Sequence, residues 1–262
     1  MKNSPLPKRP EEGHKGTFGT VAVFAGQVSD KSVMLGSAVF AAKSALKSGV
    51  GLVDFFADKQ TLVELVKMLP QAVGHTFKSF EEQSNKWSSV IVGPGWESTD
   101  ENIHILERIL SLKKPTVVDG EALNILAANP KMLGYLHPKC ILTPHLKEFE
   151  RLAKASDVSE PKEFAKKFGC ILVLKSHETK VFYQDLQWEF EGNNPVLATG
   201  GTGDVLAGLI AGHAAQYYPK IDLFTCAQEA VKIHASAAEK YRQKRGDRGL
   251  IIDELIKMLS GY

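Results

Sequence analysis

Short, continuously apolar runs recur along most of this chain, separated by alanine-rich or amphipathic stretches. Residues 21–24, 90–92, 140–142 and 171–174 are such runs, and 50–56 and 115–118 read as strands of the same kind that each carry one polar residue, Asp54 and Thr116. A short run that is apolar on both faces marks a strand covered on both sides, as in a parallel sheet. Between them, residues 36–49, 62–68, 102–110 and 161–168 read as helices, the first alanine-rich with Gly49 placed to end it. Another helix follows the strand-to-helix turn Thr143-Pro144-His145. The pattern changes near residue 179. Residues 179–184 and 186–191 alternate apolar with polar and predict an antiparallel hairpin around Asp185. Gly192-Asn193-Asn194-Pro195 cannot extend that strand. Three helical segments close the chain at 203–217, 223–241 and 251–259, with His234 at the core edge of the middle one. No repeat, linker or second composition regime interrupts the series. The pattern therefore predicts one α/β domain over residues 1–262, a mainly parallel sheet with helices on both faces.

Composition narrows the function class. The 262 residues are 44% hydrophobic and 24% charged, ordinary for a globular protein. A net charge of +2 with scattered lysines gives no footprint for nucleic acid. No apolar run approaches the ~20 residues of a membrane span. The polar N-terminus lacks the apolar core of a secretory signal, so the expected location is the cytoplasm. Cys140, Cys170 and Cys226 are widely spaced, which argues against a disulfide framework or a zinc site and for buried thiols.

Chemistry concentrates in residues 198–212, ATGGTGDVLAGLIAG. Glycines bring backbone N–H groups close to a ligand, and the following helix points its positive dipole end to the same place. That is an anion site, with phosphate the natural anion. Asp204 either caps the helix or takes a proton from a hydroxyl that attacks phosphorus. Other candidates sit at strand ends, where ligands bind in open α/β sheets. Gly93-Pro94-Gly95-Trp96 ends one strand, and Trp96 either stacks on a ring or covers the core. Lys175 ends another, where it either neutralises a polyphosphate or occupies a surface turn. His145, just before a helix, is either a cap or surface residue or a catalyst. The loop His14-Lys15-Gly16-Thr17-Phe18-Gly19-Thr20 precedes the first strand.

The string ATGGTGDVLAGLIAG resembles the anion-hole signature of the ribokinase-like superfamily. More narrowly, the chain resembles the ADP/ATP-dependent NAD(P)H-hydrate dehydratase family. The resemblance runs in order from Lys15 to the last helix: KG..G near the start, Gly36-Ser37, Gly93-Pro94-Gly95, Asp119 through Asn124, Leu142-Thr143-Pro144-His145 with Glu148, and Lys175 through Thr179. Ser37, Trp96, Gly120, Glu121, Lys147 and Ser176 depart from the family's usual residues. The resemblance implies a three-layer α/β/α sandwich of ribokinase-like type. It implies phosphorylation of the hydroxyl of (6S)-NADHX or NADPHX by ADP or ATP, followed by loss of phosphate to restore NADH or NADPH. It makes Asp204 the base and gives the developing charge to the N–H groups of Gly201, Thr202 and Gly203. It places the nucleotide on Lys175, Ser176, His177, Glu178, Thr179, Gly200, Gly201, Thr202 and Gly203, and the substrate on Ser37, Gly95, His145 and Asp204. Mg²⁺ is expected to bridge phosphates and keep much of its water shell, with no metal ligand assigned in the chain. A homo-oligomer, by family habit a tetramer, and a separate epimerase are further implications. A kinase for a vitamin precursor or sugar would use the same glycines and Asp204, but the LTPH and Lys175–Thr179 segments favour the dehydratase. A non-catalytic nucleotide-binding module would have lost the acidic residue, and Asp204 is present.

Overall fold

The apolar runs form one nine-stranded sheet in a computed structural model that describes residues 5–192 and 194–259. The strands are β1 (Thr20–Phe24), β2 (Leu52–Phe56), β3 (Val73–His75), β4 (Ser89–Val92), β5 (Thr116–Val118), β6 (Cys140–Leu142), β7 (Ile171–Leu174), β8 (Thr179–Tyr183) and β9 (Leu186–Phe190). Their order is β3-β2-β1-β4-β5-β6-β7-β8-β9. The first seven pair in parallel, and β8 and β9 close one edge as the antiparallel hairpin. Its turn is carried by Gln184, whose φ is +52°.

The helices are α1 (Leu35–Lys47), α2 (Lys59–Met68), α3 (Phe80–Ser84), α4 (Asp100–Ser111), α5 (Glu121–Ala128), α6 (Leu146–Ser156), α7 (Pro161–Phe168), α8 (Thr202–Tyr217), α9 (Leu223–Arg245) and α10 (Ile252–Met258). Strand side chains alternate between faces. Val21, Val23, Ile91 and Val173 join the core beneath α1, α2, α8, α9 and α10. Ala22, Phe24, Val92 and Leu172 join the second core beneath α3 to α7. The result is a three-layer α/β/α sandwich.

Caps explain where helices begin. The Asp58 side chain accepts from Thr61 N, so α2 starts at Lys59 rather than at the first apolar residue, 62. Thr99 does the same for α4. The edge strand β3 and helices α3 and α5 have no counterpart in the hydrophobic pattern. β3 is three residues, Val-Gly-His, and half exposed, so it carries no alternation to read. Asn193, part of the predicted hairpin exit, and residues 1–4 and 260–262 lie outside the described residues.

Helix α8 is nearly all buried, and its glycines permit its close approach to α1. A β-carbon at Gly208 would sit 2.0 Å from Ser44 Oγ and 2.1 Å from the Ala41 carbonyl oxygen. Ser44 Oγ donates to the Val205 carbonyl at 2.8 Å, and Ser89 Oγ to that of Ala211 at 2.8 Å. The first bond fixes the start of α8 against α1, and the second fixes its middle against β4. Gly208→Ala is expected to lower the unfolding free energy by about 1–3 kcal/mol through overpacking. A urea midpoint equal to that of wild type would contradict this contact.

The segment Lys15–Phe18 forms a 3₁₀ turn at the amino end of β1. A β-carbon at Gly51 would lie 1.8 Å from the Lys15 carbonyl oxygen. This loop therefore packs at the end of the sheet opposite the strand ends that carry the other motifs.

Candidate active site

The carboxyl ends of β4 to β7 and the first turn of α8 gather one charged cluster. Gly201, with φ of +95°, supplies the left-handed turn that starts α8. The Thr202 hydroxyl donates to the carbonyls of Leu197 (2.9 Å) and Thr199 (3.0 Å), which ties the loop to the helix. The Thr202 N–H also turns inward, to the Thr199 carbonyl at 3.3 Å. The expected trio of charge-holding N–H groups is therefore redistributed. Among the described residues, none accepts from the backbone N–H of Gly201, Gly203 or Asp204. These are first-turn donors left for a ligand.

Lys175 leaves the end of β7 beside this turn. A β-carbon at Gly203 would lie 3.2 Å from its Nζ. Its ammonium pairs with Asp119, at the end of β5, at 2.7 Å, with side-chain exposures of 21% and 3%. Burial pulls the Lys175 pKa down, but Asp119, Glu148 and Asp204 together hold it above its ordinary value. The ammonium therefore stays charged.

Asp204, in the first turn of α8, feels the charge of both members of this ion pair. Burial, then the charge of Asp119, push its pKa up to about 7, opposed by a hydrogen bond from Ser37 and the charge of Lys175. This carboxyl is held near neutrality, where a general base works best. It is not the side-chain cap of α8, which has none. Ser37, on α1, connects it to Gly95, where a β-carbon would be 3.1 Å from Ser37 Cβ and 2.6 Å from the Met34 carbonyl oxygen. The Gly26 N–H donates to the Pro94 carbonyl at 2.8 Å and locks the end of β1 to that of β4.

His145 joins the cluster from the end of β6. It caps α6: its Nδ1 accepts from Glu148 N at 3.2 Å, and Glu148 Oε2 accepts from His145 N at 2.8 Å. Its side chain is 50% exposed, with Nε2 3.6 Å from Glu148 Oε1. Buried Glu148 has its pKa raised by burial, with Lys175 and the His145 N–H pulling against the shift. The Lys175 N–H donates to the Pro144 carbonyl at 2.8 Å, which sets β7's end beside the His145 turn.

Beneath the first turn of α8 opens a cavity of about 360 Å³. Its walls include Lys175, Ser176, His177, Thr179, Thr202 and Gly203 from the predicted nucleotide segments, and Phe190, Leu206, Val231 and His234. A second hollow of about 590 Å³ along α9 shares Phe190, Asn194 and Leu197 with it. Glu178 is the member of 175–179 that turns away: its side chain is 46% exposed and pairs with His177. Ser176 Oγ donates to the Glu178 carbonyl and accepts from its N–H, closing the turn that the family's usual glycine would make. A β-carbon at Gly200 would meet nothing within 4 Å and Lys147 is exposed, so neither position is crowded. Trp96 is buried in the core and lines a small separate cavity of about 160 Å³. Among the described residues, no three His, Cys, Asp or Glu side chains gather as a metal cage, and no helix is long and apolar enough to cross a membrane.

Sequence reasoning missed Asp119 as the partner of Lys175 and missed His234 as a cavity wall. Asp119 stands in the sequence as a strand-end carboxylate of the Asp119–Asn124 motif, with nothing to pair it with Lys175. His234 sits among small apolar residues, and nothing in that pattern says which cavity it faces.

The model of the NAD(P)H-hydrate dehydratase family matches residues 25–260. The ADP-dependent (S)-NAD(P)H-hydrate dehydratase of Listeria monocytogenes is 32% identical, the match covering 92% of this chain and 86% of that protein. The bifunctional NAD(P)H-hydrate repair enzyme of Coxiella burnetii is 31% identical over 97% of this chain, which spans 52% of that protein. A crystal structure of the ADP/ATP-dependent NAD(P)H-hydrate dehydratase of Bacillus subtilis, co-crystallised with ATP and Mg²⁺, superimposes with a TM-score of 0.80 at 28% identity, covering 97% of this chain and 92% of that one.

Proposed function

The chain belongs to the NAD(P)H-hydrate dehydratase family, and from that premise we propose how its residues perform the ADP-dependent dehydration of hydrated NADH or NADPH. The observation that carries the reading is Asp204: a carboxyl with its pKa raised to about 7, in a first helical turn with unpaired N–H donors and under the charge of half-buried Lys175.

The chemical problem is a poor leaving group. Hydroxide leaves a ring badly, and phosphate leaves well. The hydrate rests against Ser37 and Gly95, with His145 at its edge, so that its hydroxyl reaches Asp204. Asp204 takes the hydroxyl proton as the oxygen attacks the terminal phosphorus of ADP. The new P–O bond forms as the bond to the departing AMP oxygen breaks. The N–H groups of Gly201, Gly203 and Asp204 hold the negative charge that develops on the phosphoryl oxygens. Lys175 lends its charge to the same oxygens, kept in place by Asp119. Lys175, Ser176, His177 and Thr179 form the wall against which the nucleotide lies. Loss of phosphate from the ring carbon and of a proton from its neighbour then restores the double bond. Such transfer relies on position and charge more than on covalent chemistry.

The donor set suits a magnesium ion carried in by the nucleotide. Among the described residues no cage of His, Cys, Asp or Glu is found, so no side chain is assigned to the ion, which would supply charge neutralisation at the phosphates.

A base with a pKa near 7 makes a pH prediction. Asp204 acts as the carboxylate, so kcat/KM should fall about tenfold per pH unit below pH 7 and level off above it. A profile flat from pH 5 to 9 would remove Asp204 from the proton transfer. The reading as a whole is tested by mixing the protein with NADHX, Mg²⁺ and ADP, ATP or neither. Return of NADH absorbance that requires a nucleotide supports it. Equal return without nucleotide, or none with either, overturns it.

A further inference from the structure

Four buried polar side-chain atoms have no hydrogen-bond partner among the described residues: Trp87 Nε1 and the Nε2 atoms of His137, His213 and His234. Only His234 of these lines the cavity beneath α8. It projects from α9 between Val231 and Ala235 and is 7% exposed. Its ring lies within reach of the Thr202 carbonyl and feels the charge of Lys175. Burial first, then Lys175, push its pKa down to about 4, with the Thr202 carbonyl opposing. The imidazole is therefore neutral, with one N–H and one lone pair. If the N–H serves the Thr202 carbonyl, the nitrogen left over can only accept. An apolar side chain of similar size would fill the same space with no unpaired nitrogen.

We propose that His234 belongs to the nucleotide site, where its buried, unpartnered Nε2 accepts a hydrogen bond from the nucleoside half of the bound nucleotide. This rests on the reading of the cavity as the nucleotide's place. A neutral acceptor suits a hydroxyl or amine donor, whereas a phosphate oxygen offers it nothing. Leu206, Val231 and Ala235 on the same wall are apolar, so His234 is the polar group that α9 presents to the nucleoside.

The test compares ADP with pyrophosphate, which lacks the nucleoside. His234→Leu should weaken ADP binding by calorimetry about tenfold, the worth of one neutral hydrogen bond. It should leave inhibition by pyrophosphate and the KM for NADHX within about twofold of wild type. His234→Asn, which restores an acceptor, should recover part of the loss. Unchanged ADP affinity in folded His234→Leu overturns the proposal, as does an equal loss for ADP and pyrophosphate. Ala235→Trp, which fills the cavity, separates the two levels of the argument. If it too leaves ADP binding intact, the cavity is not the nucleotide's place. If it blocks ADP while His234→Leu does not, only the role of His234 falls.

Discussion

Replacing Asp204 with Asn is expected to lower kcat by about 10²–10⁴-fold, the usual worth of a positioned base, while making the folded protein more stable at pH 8. The two effects have one cause. The folded-state pKa of Asp204 is raised from 3.8 to about 7, chiefly by burial and then by Asp119. A group raised in this way contributes stability below its unfolded value, and that contribution is lost as pH rises through the folded value. Above pH 7 the fold holds a carboxylate against its own preference, and Asn removes that charge. The stabilisation at pH 8 should be on the order of 1–4 kcal/mol. Near pH 4, where wild type already carries a protonated Asp204, most of it should vanish. Asn keeps an oxygen to accept from Ser37, so the local geometry survives. Melting temperatures at the two pH values, read beside kcat, check both halves. A variant that is inactive and equally destabilised at both would show that Asp204 is structural.

Lys175→Met should be the most damaging single change at the site. The 2.7 Å pair between Lys175 and Asp119 leaves Asp119 only 2% exposed. Removing one partner of a buried pair strands the other charge, at a cost of about 3–5 kcal/mol. The nucleotide also loses the cation nearest the α8 turn, so activity should disappear even where the protein remains folded. The double variant Lys175→Met with Asp119→Asn removes the stranded charge. It should regain most of the stability, read by urea denaturation, and none of the activity. Equal stability in the single and double variants would mean that the pair is screened by solvent. Activity in the double variant would remove Lys175 from phosphate binding.

The sheet and most of its helices were legible because the central parallel strands are mostly apolar on both faces and helices such as α2 and α4 carry a side-chain cap and a periodic face. What escaped was short or depended on context. β3 is three residues around Gly74, and α5 begins straight after the strand-end Gly120, where the pattern shows only a turn. The anion site was legible in Gly200 to Asp204, because glycines before a buried helix have one natural use. Which N–H groups it offers was not, since the Thr202–Thr199 bond belongs to the fold of the loop. His145 reads as a cap or surface residue or a catalyst, and the structure makes it a cap whose side chain is half exposed. The Lys15–Gly19 loop lies at the far end of β1, a placement that follows from strand direction and pairing rather than from the glycines themselves.

The central claim is that the substrate's own hydroxyl is phosphorylated before it leaves. It is tested most directly by labelling that hydroxyl of NADHX with ¹⁸O and running the reaction with unlabelled ADP. The account predicts that the label appears in inorganic phosphate, one atom per NADH restored, because the ring C–O bond breaks after the P–O bond has formed. Label released into water, with unlabelled phosphate, would mean that the hydroxyl departs on its own and that the nucleotide does some other task.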